Sequence, residues 1–146
     1  MTNWITRKIL NFIGPQVCVG AIIKKNGKVL LTKRSSVLIE GNKWCLPGGH
    51  LDKGETAEGG VKREIFEETG LRATKVRFLF YHDEFVSPLS LHSLLLIFLV
   101  DVTGEPKANW EVSSMRWMKR DEALKEDLAF THKDILSKFF AMENIR

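Results

Sequence analysis

The segment from Thr56 to Gly70 constrains this chain most, because it carries a complete helix together with its own start and stop. Thr56 suits an N-cap, Ala57 to Thr69 contain no proline, and Gly70 supplies a residue tolerant of the left-handed turn that ends helices. On a wheel of about 100° per residue, Glu64, Glu67 and Glu68 share one arc with Gly60, while Val61, Ile65 and Phe66 lie on the other side. Like charges three or four residues apart cost ~0.3 kcal/mol per pair, and no lysine is interleaved here, so the pattern calls for something positive on that face. Oxygen-rich clusters suit hard cations, and magnesium takes a few carboxylates while sharing its remaining positions with water and phosphate. The helix alone leaves a second reading open, a solvated acidic face, although the helix dipole disfavours negative charge near a C-terminus. Upstream, Pro47-Gly48-Gly49 and Gly54 let backbone approach a ligand closely, with carbonyls as further metal ligands; as a plain reading, they make a turn.

The rest of the chain reads as strands around this helix. Val17 to Ile23 is apolar and β-branched, Asn26-Gly27 marks a hairpin turn, and Lys28 to Lys33 resumes the strand. Trp44 to Leu46 makes a short strand, with further strands over Lys75 to Phe85, His92 to Val102 and Ser114 to Met118 and a loop containing Pro88. Asp121 to Glu126 predicts a short helix. Thr131 with Asp134 resembles a capping-box variant ahead of a final helix that carries Ile135, Leu136, Phe139 and Phe140 on one face. The class is α/β, with a mixed, partly antiparallel sheet between helices. At 146 residues, 44% hydrophobic and 27% charged, the chain fits a single domain over 1–146 with an N-terminal extension over 1–14. Cys18 and Cys45, far apart and among apolar neighbours, read as a reduced, buried pair. The formal charge of +4 favours anionic ligands. Leu94 to Val100 is too short to span a membrane, and no signal-peptide core is visible, so a cytoplasmic protein is expected.

Gly49, Glu55, Arg63-Glu64, Ile65, Glu67-Glu68, Gly70 and Leu71 match the Nudix box, G-x5-E-x7-R-E-U-x-E-E-x-G-U with U a bulky aliphatic residue, at every specified position. Five of the nine specified positions are charged, which makes the match specific. The approach to the box, Lys28 to Arg34 and Trp44 to Gly49, is similar to the family's as well, and the layout fits from about Val17 to Phe140. The resemblance implies a Nudix-type α/β/α sandwich and a Mg2+-dependent pyrophosphohydrolase, with Mn2+ as a possible substitute. It implies Glu64, Glu67, Glu68 and the Gly48 carbonyl as metal ligands, with Glu55 and Arg63 supporting them. It further implies a carboxylate base that takes the proton of the attacking water, with Glu64 as the first choice and Glu111, from a segment resembling the family's late acidic loop, as the alternative. Two departures stand out: Gly59-Gly60 inside the box helix, which costs about 1 kcal/mol per glycine relative to alanine, and Ser114 where many members carry a further acidic residue before the Arg-Trp pair, here Arg116-Trp117.

The substrate stays open between ADP-ribose or a nucleotide sugar and a nucleoside triphosphate. Trp110, in the polar Lys107-Ala108-Asn109 loop, is a candidate to stack on a base, and Arg34 a candidate phosphate contact. The competing class is a nucleotide-sensing or regulatory module without turnover, against which the intact box glutamates argue. Nucleic acid is disfavoured, since no lysine and arginine stripe with interleaved aromatics is present. The extension with Trp4, Ile5, Leu10 and Phe12 offers apolar surface to the core or to a partner, and a homodimer is the expectation.

Overall fold

The computed structural model describes Ile5 and residues 14–86 and 91–145. Strand β1 (Gln16–Lys25) turns through Asn26 and Gly27, both in the left-handed region at φ 52° and 73°, into β2 (Lys28–Arg34). Two successive positive φ values define the tight hairpin that the Asn-Gly pair announces. Short strands β3 (Trp44–Cys45) and β4 (Gly48–His50) lead to helix α1 (Ala57–Thr69). Then follow the long strands β5 (Arg72–Val86) and β6 (Leu91–Thr103), strand β7 (Val112–Met118), and helices α2 (Arg120–Lys125) and α3 (His132–Glu143).

The sheet is mixed. β1 runs parallel to β6 from Gln16 opposite Ser93 to Ile23 opposite Val100, and its other edge takes β4 antiparallel at Cys18 to Gly20. β5 lines β6 antiparallel along its length, while β2 pairs with β1, β3 and β7, all antiparallel. Strand alternation then makes two cores. Val19, Ala21 and Ile23 point to one face, where Val61 and Ile65 of α1 cover them; Ile22 points to the other, against Ile135, Leu136, Phe139 and Phe140 of α3. A helix on each face is the expected α/β/α sandwich, and each fully buried aliphatic side chain contributes ~2 kcal/mol. Among the described residues no helix is long and apolar enough to cross a membrane.

Helix α1 starts and stops as its sequence dictates: the Thr56 hydroxyl accepts from Gly59 N at 3.0 Å, and Gly70, at φ 72°, returns its N–H to Phe66 O. The two glycines do not prevent the first turn. Gly60 has a packing reason to be small, because a Cβ there meets Leu51 Cδ1 at 2.6 Å and Glu55 Oε1 at 2.9 Å. Glu55 is held by Arg63 and cannot move aside freely. Gly60→Ala is therefore expected to lower stability by about 1 kcal/mol despite alanine's higher helix propensity, which a urea melt checks; a gain of the same size contradicts this packing.

The structure departs from the sequence-based expectation in three places. Gly48 to His50, read as part of a turn, forms a strand because Val19 and its neighbours on β1 leave an edge for it. β5 and β6 extend beyond the bounds expected for them, each strand supplying the other's partners. Thr131 caps α3 without its side chain, which is engaged elsewhere. Apart from Ile5, the apolar N-terminal extension lies outside the described residues, as does the Pro88 loop.

Candidate active site

A cavity of about 1190 Å³ opens between the C-terminal part of α1, the β1–β4 ladder, the β5–β6 ends and the segment entering α3. Gly48, Gly49, Glu64, Glu67, Glu68 and Glu111 line one end of it.

Arg63 organises that end. Its Nε and Nη2 grip Glu55 in a two-pronged pair at 2.7 and 3.0 Å, while Nη1 reaches Glu64 at 2.9 Å and Glu67 at 3.1 Å. Nη2 also donates to the His50 carbonyl at 3.0 Å, tying the helix to β4. A planar fork of donors can meet three carboxylates and a carbonyl at once, which an ammonium cannot. The result is a lowered pKa for Glu55, chiefly from its Arg63 hydrogen bonds. Gly49 is glycine because a Cβ at that position falls 2.7 to 2.9 Å from the Glu64 carboxyl group. The close approach of β4 to α1 thus depends on it.

Glu68 is buried, and its Oε2 accepts from the Gly48 N–H at 3.4 Å. Burial pushes its pKa well up, and the neighbouring Glu64 and Glu111 charges push in the same direction. Glu64 is raised too, by burial first, with Arg63 pulling it back and Glu67 adding to the rise. One guanidinium therefore serves Asp52, Glu55, Glu64 and Glu67, and among the described residues Glu68 has no cation. Excess negative charge, oxygen donors only and an open cavity beside them fit a hard divalent cation. Among the described residues no three such side chains already converge on one point, since Glu64 and Glu67 are drawn to Arg63. Charge and donor type carry the fit.

Of the other residues singled out in the sequence, Arg34 and Glu111 line the cavity. Arg34 Nε donates to the Ile39 carbonyl at 2.8 Å, and its guanidinium lies 4.9 Å from the Phe130 ring centre. Glu111 is anchored through its backbone, donating to Asn109 and accepting from Ser35 N. Trp110 is 71% exposed and is not among the residues lining the cavity. Cys45 is buried with its thiol pushed up to about 11, chiefly by desolvation, so it stays protonated.

The sequence reading passed over the opposite end of the cavity, where Glu84, Phe130 and His132 sit. Glu84 lies on β5 at an even spacing from the buried Phe80, so strand alternation after Phe80 places a carboxylate on the core-facing side; that was the available signal. His132 Nδ1 accepts from Leu46 N at 3.0 Å. Burial lowers its pKa to about 4, with Glu84 opposing and Arg34 and His82 reinforcing the shift. A histidine depressed below its ordinary 6.5 stabilises the fold above that pH and loses the contribution as pH falls through about 4. Glutamine can keep the bond from Leu46 without taking a proton. His132→Gln is therefore expected to gain stability relative to the parent between about pH 6.5 and pH 4, by on the order of 2 kcal/mol. Parallel melting curves that show no such divergence contradict the assignment.

Comparison with known proteins agrees with this geometry. A model of the NUDIX domain matches residues 14–139. The chain is 36% identical over 141 residues to the ADP-ribose pyrophosphatase of Methanocaldococcus jannaschii, spanning 94% of this chain and 80% of that one. It is 30% identical over 128 residues to the CTP pyrophosphohydrolase of Escherichia coli K12, spanning 88% and 93%. The crystal structure of the MutT NUDIX hydrolase from Burkholderia pseudomallei superposes with a TM-score of 0.77 at 30% identity, covering 84% of this chain and 96% of that one. Proteins of this family generally use divalent metal ions. With its box helix intact and its domain matched over nearly the whole length, the chain belongs to the Nudix family of hydrolases.

Proposed function

We propose that this chain is a magnesium-dependent pyrophosphohydrolase that cleaves a phosphoanhydride bond of a nucleoside diphosphate derivative. The observation that carries the reading is the charge imbalance at α1, where Glu64, Glu67 and Glu68 face an open cavity and, among the described residues, Arg63 pairs with the first two and no cation with the third. Glu64, Glu67, Glu68 and the Gly48 carbonyl would hold the metal, which supplies neutralisation of the phosphate oxygens and activation of water. Arg63 fixes the carboxylates through Glu55 and the His50 carbonyl. Glu64, half-buried against Gly49, takes the proton of the water that attacks phosphorus, and Glu111 stands by as the second carboxylate able to do so.

The relatives named for ADP-ribose and for CTP narrow the substrate, since both molecules contain a nucleoside diphosphate unit and a base that carries an amino group. We take ADP-ribose first and nucleoside triphosphates second. Product release from ADP-ribose, nucleotide sugars, nucleoside triphosphates and dinucleoside polyphosphates, with and without Mg2+, tests the reading. One preferred, magnesium-dependent substrate is expected. Folded, metal-loaded protein that turns over none of them sinks the proposal and favours a sensing module.

A further inference from the structure

The cavity has two chemically different ends. Phosphates and their metal belong at α1. The far end holds Glu84, 6% exposed, without an ion-pair partner among the described residues. Such a carboxylate repels phosphate and is satisfied instead by neutral N–H groups.

Its hydrogen bonding is directional. Glu84 Oε2 accepts from Thr131 N at 3.1 Å and from the Thr131 hydroxyl. That hydroxyl has a single proton, so His82 Nε2, 2.9 Å away, must be the donor to Thr131 Oγ1. Both Thr131 donors go to Oε2, Oε1 has no hydrogen-bond partner among the described residues, and Glu84 lines the cavity. It can only accept. Beside it, His132 receives the Leu46 N–H at Nδ1, so in the neutral ring the proton sits on Nε2, which is a donor. Phe130 adds a flat apolar surface. It is held at φ 54°, a conformation costly for a bulky residue, with its ring lining the same cavity and backed by Arg34.

Resting on the reading of this cavity as the nucleotide site, we propose that Glu84 Oε1 and His132 Nε2 read the base of the substrate, binding the amino-bearing edge of adenine or cytosine while the base lies against Phe130. Both bases present an amino hydrogen next to an unprotonated ring nitrogen, the complement of an acceptor next to a donor. In the same seat hypoxanthine and uracil turn a carbonyl towards Glu84 and an N–H towards His132. Both contacts become repulsive. Sites that leave buried polar groups unpaired discriminate strongly, so a preference of about tenfold or more is expected.

The test compares kcat/KM within matched pairs that differ at the amino group: ADP-ribose and its inosine counterpart, ATP and ITP, CTP and UTP. The purine and pyrimidine pairs separate adenine from cytosine recognition. The parent protein is expected to favour the amino-bearing member of its preferred pair by about tenfold or more. In Glu84→Gln the amide oxygen is kept on the Thr131 side by its two donors, which turns the NH2 group to the cavity. That change is expected to cut the ratio at least about tenfold, towards or past equality. Because each ratio comes from one preparation, partial misfolding cancels; if a melting curve shows Glu84→Gln unfolded, Glu84→Asp, which withdraws the acceptor, carries the same expectation. Equal rates within every pair in the parent, or an unchanged ratio in the variant, overturns the base-reading pair while leaving the hydrolase reading intact. No hydrolysis of any member overturns this inference, while the hydrolase reading falls only if nucleotide sugars and dinucleoside polyphosphates are refused as well.

Discussion

Replacing Glu68 with glutamine is expected to lower turnover by about a thousandfold and, in the metal-free protein, to raise the melting temperature by ~3 °C. The two effects have opposite signs because one carboxylate serves function at the expense of the fold. Glu68 is buried beside Glu64, with the Gly48 N–H as its hydrogen-bond donor. Its pKa is raised, by burial first and by the Glu64 charge second. A carboxyl group whose folded pKa is raised stabilises the fold below its ordinary 4.5, and that contribution is lost as pH rises through the raised value. The advantage of the neutral variant should therefore be present at about pH 7.5 and disappear near the ordinary carboxyl range. Magnesium should reverse the order, stabilising the parent more than the variant because it binds only the folded, charged site. Undiminished turnover in Glu68→Gln removes Glu68 from the site.

Arg63→Ala carries the second large effect, a loss of about a hundredfold in kcat together with ~2 kcal/mol of stability. Five groups lose a partner at once: Asp52, Glu55, Glu64, Glu67 and the His50 carbonyl. The last of these joins α1 to β4, so the carboxylates lose both their counter-charge and their position. Arg63→Lys is expected to recover stability in part and turnover hardly at all, since an ammonium restores charge without the two-pronged grip on Glu55. Steady-state kinetics and chemical denaturation of the two variants separate these roles. A lysine variant with parental kcat shows that charge alone suffices.

The box helix was legible because its signals are local: a cap, a stop, and three glutamates whose helical spacing alone puts them on one face. Glu55, Arg63, Glu64, Glu67 and Glu68 gather accordingly at one end of the cavity. The two-faced sheet was legible too, since Val19, Ile22 and Ile23 alternate in a run whose hairpin is marked by Asn26-Gly27. What escaped depends on contacts between distant segments. Gly48 to His50 becomes a strand only because β1 offers an edge, and nothing in three residues announces that. Thr131 looked like a helix cap, but its hydroxyl is drawn to Glu84, 47 residues earlier. Glu84 itself showed only as a charge in a strand, although its even spacing from Phe80, beyond the register shift, was the signal of its core-facing side. Trp110, chosen as an aromatic in a polar loop, stands exposed away from the cavity, because loop composition says nothing about which way a loop faces.

Binding of Mn2+ in place of Mg2+, followed by the loss of the free-ion EPR signal on titration with protein, tests most directly whether the α1 carboxylates hold the metal. The parent protein is predicted to take up the ion with saturable affinity, and Glu64→Gln and Glu68→Gln, shown to be folded, to weaken uptake by at least about tenfold. Equal uptake by the parent and both variants would place the metal elsewhere and contradict the account.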